Sequence, residues 1–334
     1  MTSHIFPSPA NQNKSPEVEK RKRHRHRDWS GATVGAIFGF AGLFCARLGH
    51  IWIGFDIFAQ FWMQFFSIAL ACGLGLASPK YKSLVAIVLL ALMVAGYSAW
   101  PHYVSSGAAP ALKPLQANEK ALKVASFNSY AGNTTPAAIA REVLRLDPDL
   151  MVLVEFDKSK AQALDVLRQK YPYQETCWQL SDCDFAILSK TPITDVVAKD
   201  DWAGPRFMSV KMGPEFGNVT IIGLHTSRFP HQRSQLKQIL VFIKYMEGIT
   251  GRVVLMGDFN ATPFSRITQT LSDGLSFERL TYLPTWSATY GFPQLAIDHI
   301  FVSPGIRALS QEHIGEYAGS DHFPITMTLG IPTK

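Results

Sequence analysis

The apolar positions of this chain fall into two regimes. Between residues 29 and 100 they form three nearly continuous runs, at 29–46, 57–78 and 83–100. Each is near the ~20 residues that an α-helix needs to cross ~30 Å of hydrocarbon. Arg47 and His50 end the first run, Gln60 and Gln64 are the only strongly polar residues of the second, and Pro101 closes the third. A secretory signal would show one short apolar core, so the pattern predicts three transmembrane helices. From residue 120 onward the rhythm changes. Short apolar runs at 124–127, 150–154, 185–188, 208–212, 219–224 and 253–256 read as strands. Residues 134–146, 157–170 and 231–247 carry apolar side chains at helical spacing, the first opening with Thr134-Thr135-Pro136, an N-cap with proline in the first turn. Strands interspersed with helices in this way predict an α/β domain over 120–334.

The remaining segments are polar. Residues 1–28 lack apolar periodicity and end in Lys20-Arg21-Lys22-Arg23-His24-Arg25-His26-Arg27, which predicts a disordered basic tail. Residues 101–119 are rich in Pro, Ser, Gly and Ala and read as a linker. The basic tail and the loop Pro79-Lys80-Tyr81-Lys82 lie two spans apart, so both can face the cytoplasm. Three spans then place residue 101 onward outside it.

Charge sharpens this division. Before residue 120 there are 11 Lys+Arg against 5 Asp+Glu, and after it 21 against 21, so the net charge of +6 belongs to the N-terminal part. The neutral domain has no overall basic surplus of the kind that grips a nucleic-acid backbone.

Candidate chemistry sits at the strand ends. In Arg252-Val253-Val254-Leu255-Met256-Gly257-Asp258-Phe259-Asn260 an apolar strand stops at Gly257, and alternation puts Asp258 and Asn260 on one face of an extended segment. An acceptor beside a neutral donor suits the gripping of a water and a phosphoryl oxygen; Asp and Asn are also common turn residues. Other strands end in Asn128, Glu155 and His225. Glu155 closes an apolar run, where a carboxylate needs a partner. A hard divalent cation is one such partner, and Mg²⁺ is bound through one or two carboxylates plus water and substrate oxygen. Asp298 and His299 are strand neighbours pointing to opposite faces, so only one of them can enter a shared site.

In order, Asn128, Glu155, His225, Gly257-Asp258-Phe259-Asn260, Asp298-His299-Ile300-Phe301 and Ser320-Asp321-His322 resemble the endonuclease/exonuclease/phosphatase superfamily, the DNase I-like metallophosphoesterases. The resemblance covers roughly residues 120–330. It implies two packed β-sheets flanked by helices, with Glu155 as the main metal contact and Asn128 and Asp321 completing the metal environment. Asp298 is implied to orient His322, leaving His299 structural. His225 is implied to attend the leaving group, its protonated ring stabilising the departing oxygen. Tyr130 stands where some relatives carry a second acid, which favours a one-metal site, with Mg²⁺ or alternatively Mn²⁺ as the ion. Asn133, Arg206 and Arg228 are expected substrate contacts, the arginines as phosphate clamps. Asp258, with Asn260 fixing the geometry, orients the attacking water, and either Asp258 or His322 is the base.

Cys45 and Cys72 sit in apolar runs as small hydrophobes, whereas Cys177 and Cys183 are spaced to bridge a hairpin. An extracytoplasmic domain would oxidise that pair. The expectation is a phosphoesterase anchored in a bacterial inner membrane. Its partners are the bilayer and a lipid-linked or small phosphorylated substrate, and its active site lies outside the cytoplasm, a layout similar to bacterial membrane proteins of the superfamily. One alternative is a tethered nuclease acting on external DNA, which the neutral domain disfavours. The other is a non-catalytic scaffold, against which the intact motif set speaks.

Overall fold

The computed structural model describes residues 16–75, 82–103, 114–200, 204–291 and 294–333. In chain order it contains α1 (Pro16–Leu48), α2 (Asp56–Gln60), α3 (Trp62–Gly75), α4 (Lys82–Tyr103), β1 (Glu119–Asn128), α5 (Pro136–Leu146), β2 (Leu150–Val154), α6 (Ala161–Leu167), β3 (Tyr173–Thr176), β4 (Phe185–Ser189), β5 (Ile193–Lys199), β6 (Arg206–Met212) and β7 (Thr220–His225). There follow α7 (Gln232–Met246), β8 (Val253–Asp258), α8 (Arg266–Leu275), β9 (Glu278–Arg279), β10 (Asp298–Val302), β11 (Arg307–Ala308), β12 (His313–Ile314) and β13 (Ile325–Pro332). The chain forms two compact units, one within residues 1–43 and 63–95 and the other within 44–62 and 96–334.

In the helical unit α1 packs closely on α3. A Cβ at Gly39 would lie 2.6 Å from the backbone nitrogen of Ala69, so glycine alone permits the approach. The Phe38 and Phe65 rings meet edge-on at 5.5 Å. Among the described residues one stretch, Gly31–Leu48, is long and apolar enough to cross a bilayer by length and composition. With the bent pair Ile53–Gln60 and Trp62–Gly75 counted as one broken span, the described residues hold up to two of the three expected spans. The second expected span is broken: Ile53–Gln60 and Trp62–Gly75 meet at a 62° bend. The physical reason lies in Asp56 and Gln60, which are buried in polar contacts with Ser265 and Thr262 inside the second unit rather than carried along one apolar helix. In the third, the apolar stretch Val85–Val94 is shorter than a span. Helix α1 begins at Pro16, inside the segment expected as a basic tail. Glu17, Glu19, Lys20, Arg21 and Lys22 are good helix formers and extend a helix already nucleated downstream. Residues 1–15, and 104–113 of the expected linker, lie outside the described residues.

The second unit is a four-layer sandwich. One sheet has the order β11-β13-β1-β2-β4-β3, with β12 added on β13, and the other has the order β5-β6-β7-β8-β10-β9. Each is built around one parallel pair, β1–β2 and β7–β8, joined by the crossover helices α5 and α7. Val124, Val152 and Val154 of the first sheet face Ile221, Val254, Met256 and Ile300 of the second across a dry core. The next residues along β1, Ala125 and Phe127, point outward under α5 and α6, against Ile139, Val143 and Leu167. Ile222 and Leu224 likewise lie under α7 and α8, with Ile239, Phe242 and Ile267. Burial on both faces explains why these strands read as unbroken apolar runs. The two-sheet α/β expectation therefore holds for this part of the chain. Helix α8, not foreseen above, buries Ile267 and Leu271 one turn apart and is started by Ser265, whose Oγ accepts from the Ile267 N–H. Cys177 and Cys183 form a disulfide, and Cys45 and Cys72 are free.

Candidate active site

Parallel pairing brings the C-terminal ends of β1, β2, β7 and β8 to one rim of the sandwich. Register does the rest. Across the second sheet Arg206 pairs with His225, His225 with Asp258, and Asp258 with Asp298, so four strands deliver four polar side chains in one row. Antiparallel β10 contributes its first residue to a rim made of strand ends. In the first sheet Asn128 is level with Val154, and Glu155 follows.

Three of these positions depart from extended backbone. Glu155 has φ 54°, Asn260 φ 47° and Tyr130 φ 63°, conformations that non-glycine residues hold only when surroundings enforce them. Asp258 and Asn260 thus meet for a reason other than strand alternation. The strand includes Asp258, the chain then turns left-handed at Asn260, and the Asn260 amide folds back to donate to Asp258 Oδ2 at 3.1 Å. Gly257 has φ 145°, and a Cβ there would lie 2.1 Å from the Leu224 carbonyl oxygen, so only glycine lets β8 approach β7 before the turn.

The centre is a pair of acids from different sheets bridged by one amide. Asn128 Nδ2 donates to Glu155 Oε1 at 3.1 Å and to Asp258 Oδ2 at 2.9 Å. Glu155 Oε2 also accepts the Ala131 N–H at 2.7 Å, and Asp258 Oδ1 accepts the Asn260 N–H at 2.8 Å. His225 Nε2 stands 3.7 Å from Glu155 and 3.8 Å from Asp258, too far for hydrogen bonds, and its Nδ1 is buried without a partner. Opposite lies His322, whose Nδ1 is 2.7 Å from Asp298 Oδ2; Thr285 Oγ1 donates to that same oxygen. His322 Nε2 faces Asp258 at 3.8 Å.

Electrostatics assigns different states to these groups. Burial opposes a charge on His322, but the carboxylates of Asp298 and Asp258 outweigh it and raise the ring to about 10, so it is an imidazolium at neutral pH. Burial lowers His225 below its ordinary value, which favours the neutral ring. Burial also works to raise Glu155, yet the donors from Asn128 and Ala131 and the positive charge of His322 hold it below the usual range. Asp258, fully enclosed, is pushed up by burial to about 7 against the pull of His322.

Glu155, His225 and Asp258 present ligand atoms that lie within 4.8 Å of one another. The fit to a divalent cation is good: two carboxyl groups converge with one amide alone between them, and the His225 imidazole turns Nε2 toward both at 3.7 and 3.8 Å without a hydrogen bond. The group differs from the expected set of Glu155, Asn128 and Asp321. Asn128 turns its Oδ1 to the Tyr130 N–H, and Asp321 accepts from Trp286 Nε1 at 3.2 Å. A cleft of about 700 Å³ opens over the centre, lined by Glu155, His225, Asp258, Asn260, Asp321 and His322, with Arg206 and Arg228 on its walls. Arg206 is tied to Asp184 at 3.3 Å, and Arg228 is exposed. Asn133 is absent from the lining. Its side chain is consumed locally, donating to the Ala318 carbonyl and accepting from Thr135, so it fastens two loops and is not placed to touch substrate. His299 is buried on the far face; burial lowers it to about 3, and the neutral ring's Nε2 lies 2.9 Å from the Ala261 carbonyl.

Several supporting residues escaped the sequence reading. Thr285 holds Asp298. Ser320 donates to the Asn128 carbonyl and accepts the His322 N–H, locking that loop to β1. Gln235 Nε2 reaches the carbonyls of Phe259 and Asn260. Gln235 shares the buried face of α7 with Gln232, Ile239, Phe242 and Met246, and an amide on an apolar stripe was its legible signal.

The model of the Endonuclease/Exonuclease/phosphatase family matches residues 125–322. Among solved structures, D. rerio TDP2 humanized by 14 mutations has a TM-score of 0.53 at 16% identity, covering 63% of this chain and 98% of that one. An endonuclease/exonuclease/phosphatase from Beutenbergia cavernae scores 0.51 at 19% identity, covering 64% and 72%. Beta toxin from Staphylococcus aureus scores 0.50 at 19% identity, covering 62% and 99%. At these identities the likeness is one of fold. No curated protein sequence matches the chain.

Proposed function

The chain belongs to the endonuclease/exonuclease/phosphatase family, and from that premise we propose that it is a metal-dependent phosphoesterase anchored in a bacterial membrane, acting outside the cytoplasm on a lipid-linked or small phosphorylated substrate. One observation carries the reading: two carboxylates from different sheets, bridged by Asn128, face an Asp298-backed imidazolium across an open cleft. Glu155 and His225 would hold a divalent cation, Mg²⁺ or Mn²⁺, beside Asp258. When bound, such an ion draws electron density from a phosphoryl oxygen and offsets the charge that builds there.

The chain's own groups supply the remaining roles. Asp258, raised toward neutrality, orients the attacking water and takes its proton, since a base works best when its pKa is near the working pH. Asn260, held by Asp258 and the Thr226 carbonyl, fixes the direction of attack. His322 keeps its proton and pairs with a phosphoryl oxygen, while Asp298 and Thr285 hold the ring in place. Neutral His225 contributes as a ligand.

Membrane anchoring is supported by side chains of α1 that are exposed although apolar, among them Val34 at 66%, Ile37 at 63% and Phe44 at 65%. Such a surface on one long helix is one that lipid would cover. The outward placement draws on the basic flanks and on the Cys177–Cys183 disulfide, a bond that persists in oxidising compartments. D. rerio TDP2 has been solved with a single strand DNA product; here the charge-neutral domain favours a substrate other than nucleic acid. The test is the purified full chain, with Mg²⁺ or Mn²⁺ and with EDTA, against lipid phosphates, inositol phosphates and plasmid DNA. Metal-dependent cleavage of a lipid phosphate is expected. Near-normal turnover in EDTA would refute the mechanism, and cleavage of plasmid DNA alone would refute the substrate class.

A further inference from the structure

The segment from His50 to Trp62 reads in the sequence as the approach to a membrane span, yet it is bound into the second unit by polar contacts. Asp56 Oδ2 accepts from Ser265 Oγ at 2.5 Å and Oδ1 accepts the Arg266 N–H at 2.7 Å, which satisfies the open N-terminus of α8. Gln60 Oε1 accepts the Thr262 N–H at 2.7 Å, and Thr262 Oγ1 donates to the Ala59 carbonyl at 3.1 Å. Trp62 stacks on Phe264 with centroids 4.8 Å apart. These contacts hold the segment against the residues that follow Asn260, and they fix where Phe61 stands. Its ring meets Phe229 at 5.8 Å and 82°, and Phe229 meets Trp286 at 6.2 Å and 86°. Phe229 and Trp286 line the cleft, and Trp286 Nε1 donates to Asp321 at its centre. All three rings are half-buried. An apolar run therefore leads out of a polar site, from Trp286 through Phe229 to Phe61.

We propose that Phe61, Phe229 and Trp286 form a subsite for the apolar chain of an amphiphilic phosphoester whose head group occupies the cleft. This rests on the phosphoesterase reading and names the substrate class within it. Continuity argues the occupant: the charged groups at one end suit a phosphoryl head, and the three rings follow one another outward from it. The ring geometry argues against nucleobases. A stacking platform for bases needs open ring faces, whereas each ring in this run is met nearly at right angles by its neighbour. Phe61 belongs to the subsite only because Asp56 and Gln60 hold its backbone to the domain.

The test uses the full chain in amphipol with three Mg²⁺-supported substrates sharing one leaving group: methyl, octyl and thymidine 5′-p-nitrophenyl phosphate. The octyl diester should be preferred over the methyl one by about tenfold or more in kcat/KM, the scale set by a buried alkyl chain. Phe61→Ala should bring that ratio down by about tenfold, mainly through KM for the octyl diester, and Phe61→Leu should restore most of it. Asp56→Ala should lower the ratio in the same direction. Equilibrium binding of octyl phosphate against methyl phosphate, read by calorimetry, repeats the comparison without turnover. If no diester is cleaved but octyl phosphate binds in a Phe61-dependent way, the phosphoesterase reading fails and the subsite stands. An octyl-to-methyl ratio that Phe61→Ala leaves unchanged overturns the subsite, as does a Phe61-dependent preference for the thymidine diester.

Discussion

The two β-α-β units at the heart of the sandwich are built alike and end differently. In β1-α5-β2 the acid comes one residue after the strand, at Glu155, in left-handed backbone and partly open to the cleft. In β7-α7-β8 the acid is the last residue of the strand, Asp258, in full enclosure. A shift of one residue and some solvent thus separates a carboxyl held below its usual range from one pushed up to about 7. The same architecture yields a charged ligand on one side and a near-neutral proton acceptor on the other. Pairs of titrating groups driven apart by environment mark a division of chemical labour.

The largest effect expected is at the second unit's acid. Asp258→Asn should lower kcat by about three orders of magnitude, the scale of a lost base, and added metal should not restore it. Glu155→Gln should also be severely impaired, but its loss should appear as weaker metal binding, with part of the activity returning at higher Mg²⁺. Titration of kcat against Mg²⁺ for both variants decides the matter; identical rescue curves would mean that the two acids share one role.

Next in size is the unit facing them. Asp298→Asn and His322→Ala should each cost about 10²- to 10³-fold in kcat, and the double mutant little more than His322→Ala, because groups acting as one unit are not additive. Multiplicative losses would break the pair. His299→Ala, on the opposite face of β10, should lower Tm and leave kcat close to wild type.

The comparison also has a signature in stability against pH. A raised carboxyl means that the folded state binds its proton more readily, so Asp258 should add stability as pH falls from about 7 toward its ordinary 3.8. Glu155 has the opposite sign: its contribution is present above its ordinary 4.5 and is lost as pH falls through its lowered folded value. His322, raised above 6.5, stabilises fully below that pH and loses the contribution as pH climbs through about 10. Tm measured from pH 3 to 10 should show the acid-side gain flattened in Asp258→Asn, the acid-side loss flattened in Glu155→Gln, and the alkaline loss flattened in His322→Ala. Equal slopes in the two acid variants would contradict the assigned environments. The smallest effect on activity should come from Asn133→Ala. Removing its loop-fastening hydrogen bonds should cost about 1 kcal/mol or more of stability while kcat stays near wild type, as read by thermal unfolding beside a steady-state assay.

The α/β class, the two-sheet core and the strand-borne residues of the site were legible in the chain because they depend on local pattern. A strand buried on both faces must be apolar throughout, and a polar residue that ends such a run must emerge at the rim. The amphipathic stripe of α7 was legible for the same reason, and with closer attention so was Gln235 upon it. The break in the second expected span was not legible, because hydropathy counts apolar residues without asking whether the polar ones among them have partners. Asp56 and Gln60 find theirs some 200 positions away at Ser265 and Thr262, and only folding brings those residues together. The protonation states were decided in the same way. Residue type alone does not distinguish Asp258 from Glu155 or His225 from His322. What separates them is how much protein closes over each one and which charges from other strands come to face it, and both are properties of register and packing rather than of neighbours in the chain.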